Sequence, residues 1–168
     1  GLYPIRLPSG IGLEASGVIE EIGSDGKLFK VGDKVTHASM PIGAYSEKQI
    51  MPEEKLISVP DGISDEVASC ITLKGITAEY LLHRAYPLKK GDKVLYHAAA
   101  GALGQILCPW ANSLGAEVIG TVGSKAKEEI AKKNGCHHVI NYSEKNFSEE
   151  VEKIVGKNGI DVVYDGVG

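Results

Sequence analysis

The sequence predicts an α/β protein in two parts, a partial β-barrel followed by a truncated, doubly wound parallel sheet. Residues 1 to about 60 contain short β segments separated by glycine turns, which is typical of a small, partly open barrel or sandwich. From residue 93 onward, short apolar strands alternate strictly with helical segments, an order that places parallel strands in one sheet. The change of pattern puts a domain boundary near residues 75 to 90.

The first part has four predicted β segments and ends in a helix. The β segments lie at 17–23, at 31–35 (a turn that feeds a strand), at 44–50 and at 56–59. Ser64-Asp65-Glu66 has the composition of a capped, acidic helix start, and loosely helical apolar residues follow it to about Ala85.

The second part reads as βαβαβαβ. Strands are predicted at 93–96, 118–122, 139–140 and 161–164, and helices at 102–113, 125–134 and 147–155. Pro109 lies inside the first of these helices, where it removes a backbone hydrogen bond to Gln105 and predicts a kink. A doubly wound nucleotide domain has about six strands. Since only four are present, we expect the chain to be an internal fragment of a larger protein.

Composition and charge exclude several classes of function. The chain has 168 residues, 43% of them hydrophobic, and 18 basic against 22 acidic side chains give a net charge of −4. Without a basic run, we expect no binding to nucleic acid or anionic membranes. No apolar stretch approaches the roughly 20 residues of a membrane helix, and we expect a cytoplasmic protein. Cys70, Cys108 and Cys136 are widely spaced, which indicates buried reduced thiols rather than a disulfide framework or zinc knot.

A glycine-rich turn follows the first strand of the second part. In the segment 97–104, Ala99, Gly101 and Gly104 occupy the three glycine positions of the dinucleotide-binding fingerprint. Gly101 would let a pyrophosphate approach the main chain, and Gly104 would let helix and strand pack closely. The phosphates would then lie on the unpaired N–H groups of the helix start. The alternative is a tight strand-to-helix turn with no ligand.

The end of the second strand distinguishes two forms of the cofactor. A NAD enzyme places an acidic residue there to hold the ribose 2′-hydroxyl, but the segment 120–127 contains no carboxylate before Glu128. Ser124, Lys125 and Lys127 suit a 2′-phosphate instead, which favours NADPH. The alternative is that Ser124 only caps the helix and both lysines are solvated.

Motifs along the whole chain resemble those of the zinc-independent quinone oxidoreductases related to zeta-crystallin, in the medium-chain dehydrogenase/reductase superfamily. They are Gly1-Leu2-Tyr3-Pro4, Leu7-Pro8-Ser9-Gly10, Gly12-x-Glu14-Ala15-x-Gly17-Val18, Val31-Gly32-Asp33-x-Val35, Gly43-Ala44-Tyr45, Lys74-Gly75-x-Thr77-Ala78-x-Tyr80, His97-Ala98-Ala99-Ala100-Gly101, Gly120-Thr121-Val122-Gly123, Val139-Ile140-Asn141-Tyr142 and Val162-Val163-Tyr164-Asp165. The resemblance implies a partial GroES-like catalytic domain at 1–75 and a partial NADP-binding Rossmann domain at 76–168.

The resemblance also implies roles for individual residues. Tyr3 would line the quinone pocket as the catalytic residue, and Tyr80 would lie near the nicotinamide. The other implied cofactor-binding residues are Ala100, Gly101, Ala102, Leu103 and Gly104 at the pyrophosphate, Gly123, Ser124, Lys127 and Tyr142 at the adenosine phosphate, and Val167 at the ribose. Tyr80 and Tyr142 could instead be core aromatic residues with a hydroxyl at the surface, and the same alternative stays open for Tyr3.

Zinc is not expected. Zinc-dependent relatives carry a metal-binding histidine directly before the glutamate of their Gly-His-Glu motif, and Leu13 stands there in this chain. The five histidines show no ligand spacing, and Glu14 is interpreted as a brace of the barrel.

The chemistry would therefore belong to the cofactor, giving NADPH-dependent reduction of a quinone by hydride transfer, with homodimers at full length. Alternatives are a reductase of alkenals or enoyl thioesters, and a non-catalytic, crystallin-like nucleotide-binding protein or one that contacts RNA.

Overall fold

A computed structural model describes residues 4–166, so the predicted site residues Tyr3 and Val167 lie outside the described part. The chain forms two compact units, Gly1–Leu73 and Lys74–Gly168. An antiparallel sheet in the first unit and a parallel sheet in the second confirm the predicted mixed α/β class. None of the helices in residues 4–166 combines the length and apolar character that a membrane crossing requires.

The first unit is built on a three-stranded antiparallel sheet. Its strands are β1 (Glu14–Val18), β2 (Lys34–Ala38) and β3 (Ile57–Ser58), with β2 in the centre. A short 3₁₀ turn, Glu53–Lys55, precedes β3. Val35 on β2 is buried among these strands at 7% exposure.

Helix α1 (Asp65–Glu79) begins in the first unit and is attached to the sheet by polar groups. The hydroxyls of Thr36 and Thr72 are 2.8 Å apart and both are buried. A carboxylate oxygen of Glu14 accepts a hydrogen bond from the backbone N–H of Leu73 at 2.6 Å. This contact gives the interpretation of Glu14 as a brace a specific partner, the backbone of α1.

Two predicted strands of the first unit differ from the structure. β1 lies earlier in the chain than predicted, because it pairs with β2 from Glu14, opposite Ala38, to Val18, opposite Lys34. The next residue, Ile19, still bonds to Gly32 and Asp33 through its carbonyl and its N–H. The segment 44–50 is not a strand, because the hydroxyl of Ser46 bonds to the carbonyls of Gly43 and Lys48 and stabilises a local turn.

The second unit alternates strands and helices as predicted. In chain order it contains β4 (Lys93–Tyr96), α2 (Gly104–Ser113), β5 (Glu117–Val122), α3 (Lys125–Lys133), β6 (His138–Asn141), α4 (Phe147–Val155) and β7 (Val162–Tyr164). The spatial order is β6-β5-β4-β7, with every pair parallel. This is the order of the first four strands of a doubly wound dinucleotide domain.

The core of the second unit lies between the sheet and its helices. Leu82, Val94, Leu107 and Val118 are fully buried there. Cys108 and Cys136 are buried free thiols as predicted, whereas Cys70 on α1 is exposed. A hydrogen bond with Cys136, together with burial, raises the pKa of the Cys108 thiol.

Candidate functional site

The turn between β4 and α2 has an unusual backbone conformation at Ala98. Its φ is +61°, in the left-handed region that alanine rarely adopts. The N–H of Gly101 donates to the carbonyl of Ala98 at 2.8 Å, which closes the turn. A non-glycine residue held in this region indicates that the surrounding contacts fix the loop.

Gly104 is the first residue of α2 and touches the turn. A Cβ at this position would lie 2.4 Å from the carbonyl oxygen of Ala99 and 2.7 Å from its carbon. A Cβ at Gly101 would lie 3.0 Å from the oxygen of Ala98, which is a tighter contact than side chains ordinarily make. Only a glycine at 104 therefore allows α2 to start this close to β4.

The start of α2 presents free backbone donors. No side chain caps the helix. The first intrahelical bonds run from Gln105 to Gly101 and from Leu107 to Leu103. Within residues 4–166, no acceptor is found for the N–H groups of Ala102 and Leu103, as helix geometry requires at an uncapped N-terminus. Together with the helix dipole, these donors can hold an anion.

The turn lies where the strand order reverses. The chain runs from β4 outward through β5 to β6 and then returns to pair β7 with the other side of β4, so the strand order reverses at β4. Ligands of open α/β sheets bind at the carboxyl ends of the strands at such a switch point. The N–H of His97 donates to Tyr164 of β7, and that of Ala99 donates to Thr121 of β5, so both neighbouring strands hold the turn.

A second group of predicted residues meets at the carboxyl ends of β5 and β6. Tyr142 packs on Gly123 so closely that a Cβ there would lie 2.5 Å from the phenol oxygen. Ser124 has extended backbone at the start of α3, and its side chain makes no capping hydrogen bond. Its carbonyl accepts from the N–H of Lys127 at 3.1 Å. The structure thus brings Gly123, Ser124 and Tyr142 to one edge and leaves the Ser124 hydroxyl free of the capping role.

The charged side chains at this edge differ in whether they already have a partner within the protein. A carboxylate oxygen of Glu128 accepts from the side-chain amide of Asn141 at 3.1 Å and ties α3 to β6. Neither Lys125 nor Lys127, both exposed, forms an ion pair with any residue between 4 and 166. Both lysines are therefore available to an anionic ligand, while one oxygen of the Glu128 carboxylate is bonded to Asn141.

Sequence reasoning gave no role to three residues that the structure places beside the turn. His97 Nδ1 lies 2.9 Å from the hydroxyl of Thr121, and the His97 ring packs edge-on against Phe147 with centroids 5.1 Å apart. Thr121 is fully buried. The register of β4 with β5 pairs Tyr96 with Gly120 and so sets His97 and Thr121 side by side, and neither segment shows that register by itself.

Tyr80 lies on a separate element from both groups. It begins a π-helical turn, Tyr80–Ala85, that follows α1, and its side chain is 54% exposed. The phenol of Tyr164 donates to the carbonyl of Leu81 at 2.8 Å, which fixes this turn to β7. Burial raises the pKa of Tyr164 to about 12, with smaller contributions from Tyr86 and Asp92. π-helical turns are frequent at functional sites.

No metal centre is found in the described residues. Between residues 4 and 166, no group of three or more His, Cys, Asp or Glu side chains could hold a metal ion. Leu13, at the position of the metal-binding histidine in zinc-dependent relatives, is 40% exposed and has no donor atom.

Comparison with known proteins identifies the family. Residues 1–87 match the family model of the alcohol dehydrogenase GroES-like domain, and residues 102–168 match that of the zinc-binding dehydrogenases. A 2-haloacrylate reductase of Burkholderia sp. is 50% identical over 96% of this chain and 49% of its own length. A quinone oxidoreductase of Pseudomonas aeruginosa is 46% identical over 100% of this chain and 52% of its own.

A solved structure is also similar. The quinone oxidoreductase of Escherichia coli, crystallised as a complex with NADPH, superposes with a TM-score of 0.96 at 45% identity, covering 100% of this chain and 52% of that one. The chain thus spans about half the length of the curated relatives that it matches.

Proposed function

This chain belongs to the GroES-like alcohol dehydrogenase family, within the medium-chain dehydrogenases/reductases, and we propose that it carries the cofactor-binding part of an NADPH-dependent quinone reductase. The observation that carries the proposal is the uncapped start of α2, packed through Gly104 against the turn at the carboxyl end of β4. The resemblance to a quinone oxidoreductase complexed with NADPH supports it.

The turn fits the pyrophosphate of a dinucleotide. The free N–H groups of Ala102 and Leu103 point along the helix dipole toward the carboxyl end of β4, where a phosphate gains both hydrogen bonds and favourable electrostatics. Gly101 has no Cβ to hinder the approach of a ligand to the main chain. Ala100 and Gly104 complete the contact group that we assign to the pyrophosphate.

The edge at β5 and β6 fits a 2′-phosphate better than a 2′-hydroxyl. We assign the adenosine phosphate to Gly123, Ser124, Lys127 and Tyr142. The Ser124 hydroxyl makes no capping bond, and Lys127 forms no ion pair in the described part of the chain. The nearby carboxylate of Glu128 is bound to Asn141. Lys127 offers a phosphate a charge-assisted hydrogen bond, and the group contains no carboxylate that would repel it.

The chain's own residues bind and orient the reactants. When bound, NADPH supplies a hydride from its nicotinamide ring, and a quinone requires little further catalysis. We assign Tyr80 to the nicotinamide end of the cofactor. Outside the described residues, we assign Val167 to the ribose region and Tyr3 to the quinone pocket, where its hydroxyl would donate a proton to the reduced oxygen. We propose a zinc-independent reaction because Leu13 cannot ligate a metal.

A second substrate class is favoured by one relative. The 2-haloacrylate reductase, at 50% identity, is named for an acid with a carbon–carbon double bond. Reduction of an electron-poor alkene uses the same hydride donor as reduction of a quinone. The alternative for this chain is therefore an alkenal or enoyl reductase. In either case we propose a cytoplasmic homodimer at full length, which light scattering on the full-length protein would test.

The cofactor assignment is tested by calorimetry on the full-length protein that carries this chain. We expect NADPH to bind more tightly than NADH. The double variant S124A/K127A should lose about tenfold or more in NADPH affinity and leave NADH unchanged, since charge-assisted bonds to the phosphate are removed. Lys157→Ala is the matched control, because this exposed lysine follows α4 at the opposite end of the sheet. Equal affinity for both cofactors in the unmodified protein would contradict the assignment.

The substrate assignment is tested by NADPH oxidation with three acceptors, a naphthoquinone, an enone and 2-chloroacrylate. We expect the largest kcat/KM with the quinone. A larger value with either alkene would move the protein to the alternative class while leaving the cofactor assignment intact.

A further inference from the structure

Ala98 adopts a conformation that its own chemistry disfavours. At φ +61°, the Cβ of an L-residue crowds the following carbonyl oxygen, a contact that glycine avoids. Such a residue persists only where neighbouring contacts hold it. Glycine at 98 would adopt the turn without that strain. A glycine variant can therefore show how much the turn depends on the contacts that hold Ala98.

Thr121 contacts both neighbours of Ala98. Its hydroxyl lies 2.9 Å from Nδ1 of His97, and its backbone carbonyl accepts from the N–H of Ala99 at 3.0 Å. The residue is 0% exposed in β5, between β4 and β6, so its position is set by the sheet. One rigid residue therefore fixes the chain immediately before and immediately after the strained alanine.

His97 is also fixed on its other sides. Its N–H donates to the carbonyl of Tyr164 on β7 at 3.1 Å, and its ring meets Phe147, the first residue of α4, at 5.1 Å. These contacts leave the imidazole little freedom to turn away from Thr121. The shared hydrogen bond is thus built into the packing of three elements.

Hydrogen bonds lead from Ala98 to the start of α2. The carbonyl of Ala98 accepts from Gly101 at 2.8 Å, and the carbonyl of Gly101 accepts from Gln105 at 3.0 Å. A rotation at Ala98 would reorient both carbonyls and, with them, the free N–H groups of Ala102 and Leu103. The direction of these donors depends on the conformation of Ala98.

We propose that His97 and Thr121 form a positioning clamp that holds the left-handed turn at Ala98 and so aims the amide groups that receive the cofactor's pyrophosphate. The inference rests on the proposed function, since it assigns that site's preorganisation to two residues outside the glycine pattern. Neither residue belongs to the group that we assign to the adenosine phosphate. The clamp therefore acts on affinity for NADPH and NADH alike.

Thr121→Val in the full-length protein removes the hydroxyl and keeps the shape of the side chain. We expect NADPH and NADH to lose affinity by a similar factor of about 3 to 10, the value of one net hydrogen bond. Thr121→Ser, which keeps the hydroxyl, should bind both cofactors nearly as well as the unmodified protein. The S124A/K127A variant, in contrast, should affect NADPH alone.

Ala98→Gly supplies a rescue that a merely structural role would not show. With glycine at 98 the turn needs less holding, so Thr121→Val should cost less affinity in that background than in the unmodified protein. Substitutions of His97, which is half-buried, give a second pair of variants. His97→Asn retains a polar atom close to the place of Nδ1 and should be milder than His97→Ala.

The outcomes separate the clamp from the proposed function. Unchanged affinities in Thr121→Val and His97→Ala, or no rescue by Ala98→Gly, would overturn the clamp while the protein still binds NADPH. If the unmodified protein binds neither cofactor, the proposed function fails. The clamp is then decided by hydrogen exchange at Ala99 and Gly101, whose N–H groups donate to the carbonyls of Thr121 and Ala98. Exchange at these amides should quicken in Thr121→Val and return to the unmodified rate in Thr121→Ser.

Discussion

At the scale of single residues, Gly104 decides how closely α2 can approach the turn that precedes it. An added Cβ would overlap the backbone of Ala99, at 2.4 Å from its oxygen and 2.9 Å from its Cα. Backbone atoms cannot swing aside as the end of a flexible side chain can. Either the helix or the turn must move, and both are parts of the proposed phosphate site.

We predict that Gly104→Ala destabilises the protein and weakens NADPH binding. Overpacking of this kind costs about 1 to 3 kcal/mol of unfolding free energy. Displacement of the helix start should reduce affinity by tenfold or more, about 1.4 kcal/mol. Urea unfolding and calorimetry measure the two effects separately.

Gly17→Ala is the control for Gly104→Ala. A Cβ on Gly17 would meet nothing within 4 Å, and its φ is not in the left-handed region. Its unfolding free energy should stay within about 0.5 kcal/mol of the unmodified value. A Gly104→Ala protein as stable as Gly17→Ala would show that α2 can retreat without strain.

The residues that we assign to the proposed site were chosen from sequence where the reason is local. Gly101 and Gly104 follow from the spacing of a strand-to-helix turn, and Lys127 follows from its distance along the chain. His97 and Thr121 are 24 positions apart. Their contact depends on the register of β4 with β5, which is set by packing of the whole sheet and cannot be read from either segment alone.

At the scale of elements, the parallel sheet was predicted more closely than the antiparallel one. α4 begins at Phe147 and ends at Val155, as its apolar spacing predicts, because one face of that helix packs on the sheet. β1 was placed too far along the chain because its bounds depend on where β2 begins. The kink predicted at Pro109 within α2 stays a prediction.

The π-helical turn Tyr80–Ala85 is tied to β7 by one buried phenol. Tyr164 donates to the carbonyl of Leu81 at 2.8 Å, and burial raises its pKa to about 12 from the ordinary value of 10.0. A raised pKa means that the folded state holds the phenolic proton more tightly than the unfolded chain does. The stabilisation is complete below about pH 10 and is lost as the pH rises from about 10 through about 12.

We predict that Tyr164→Phe costs about 0.5 to 1.5 kcal/mol at neutral pH, the net value of the lost hydrogen bond. The cost should shrink above about pH 10, because the unmodified protein loses this stabilisation there and the variant has none to lose. Urea unfolding at a series of pH values from about 8 to about 11.5 measures it. Tyr96, whose pKa burial also raises to about 12, is present in both proteins and cancels in the difference.

Tyr45→Phe controls for the general effect of removing a phenol, since Tyr45 is 77% exposed. Its stability should follow that of the unmodified protein over the whole pH range. A Tyr164→Phe difference that is constant with pH would mean that the hydroxyl has the same pKa in the folded and the unfolded state.

At the scale of the whole molecule, apolar burial is concentrated in the second unit. Among residues 4–73, the buried apolar side chains are Val35 and Ala68, while the fully buried Leu82, Val94 and Leu107 belong to the second unit. Large apolar side chains of the first unit are exposed instead, with Leu7 at 86% and Ile50 at 93%. Burial of apolar side chains therefore stabilises the second unit much more than the first.

The first unit also contains a cavity of about 990 Å³, lined by residues of β1, β2 and the loops after them. Two polar atoms in this region, Nδ1 of His37 and Oε1 of Gln49, are buried without a hydrogen-bond partner in the described part of the chain. Unpaired buried polar atoms lower stability. The predicted partly open barrel corresponds physically to this incompletely packed sheet.

We predict that the 168-residue chain, expressed alone, opens more readily in its first unit than in its second. Backbone amides of β2 should exchange hydrogen at least about tenfold faster than those of β4 and β5, because fewer buried contacts oppose local opening. Hydrogen exchange followed by mass spectrometry resolves the strands in one experiment.

In a protein with the length of the curated relatives, which is about twice that of this chain, we expect protection of β2 to rise toward that of β4. Additional chain can cover Leu7 and Ile50 and pair with His37. Equal protection of β2 and β4 in the chain alone would contradict this account. It would mean that the polar attachments of α1 to the sheet stabilise the first unit as strongly as a buried core stabilises the second.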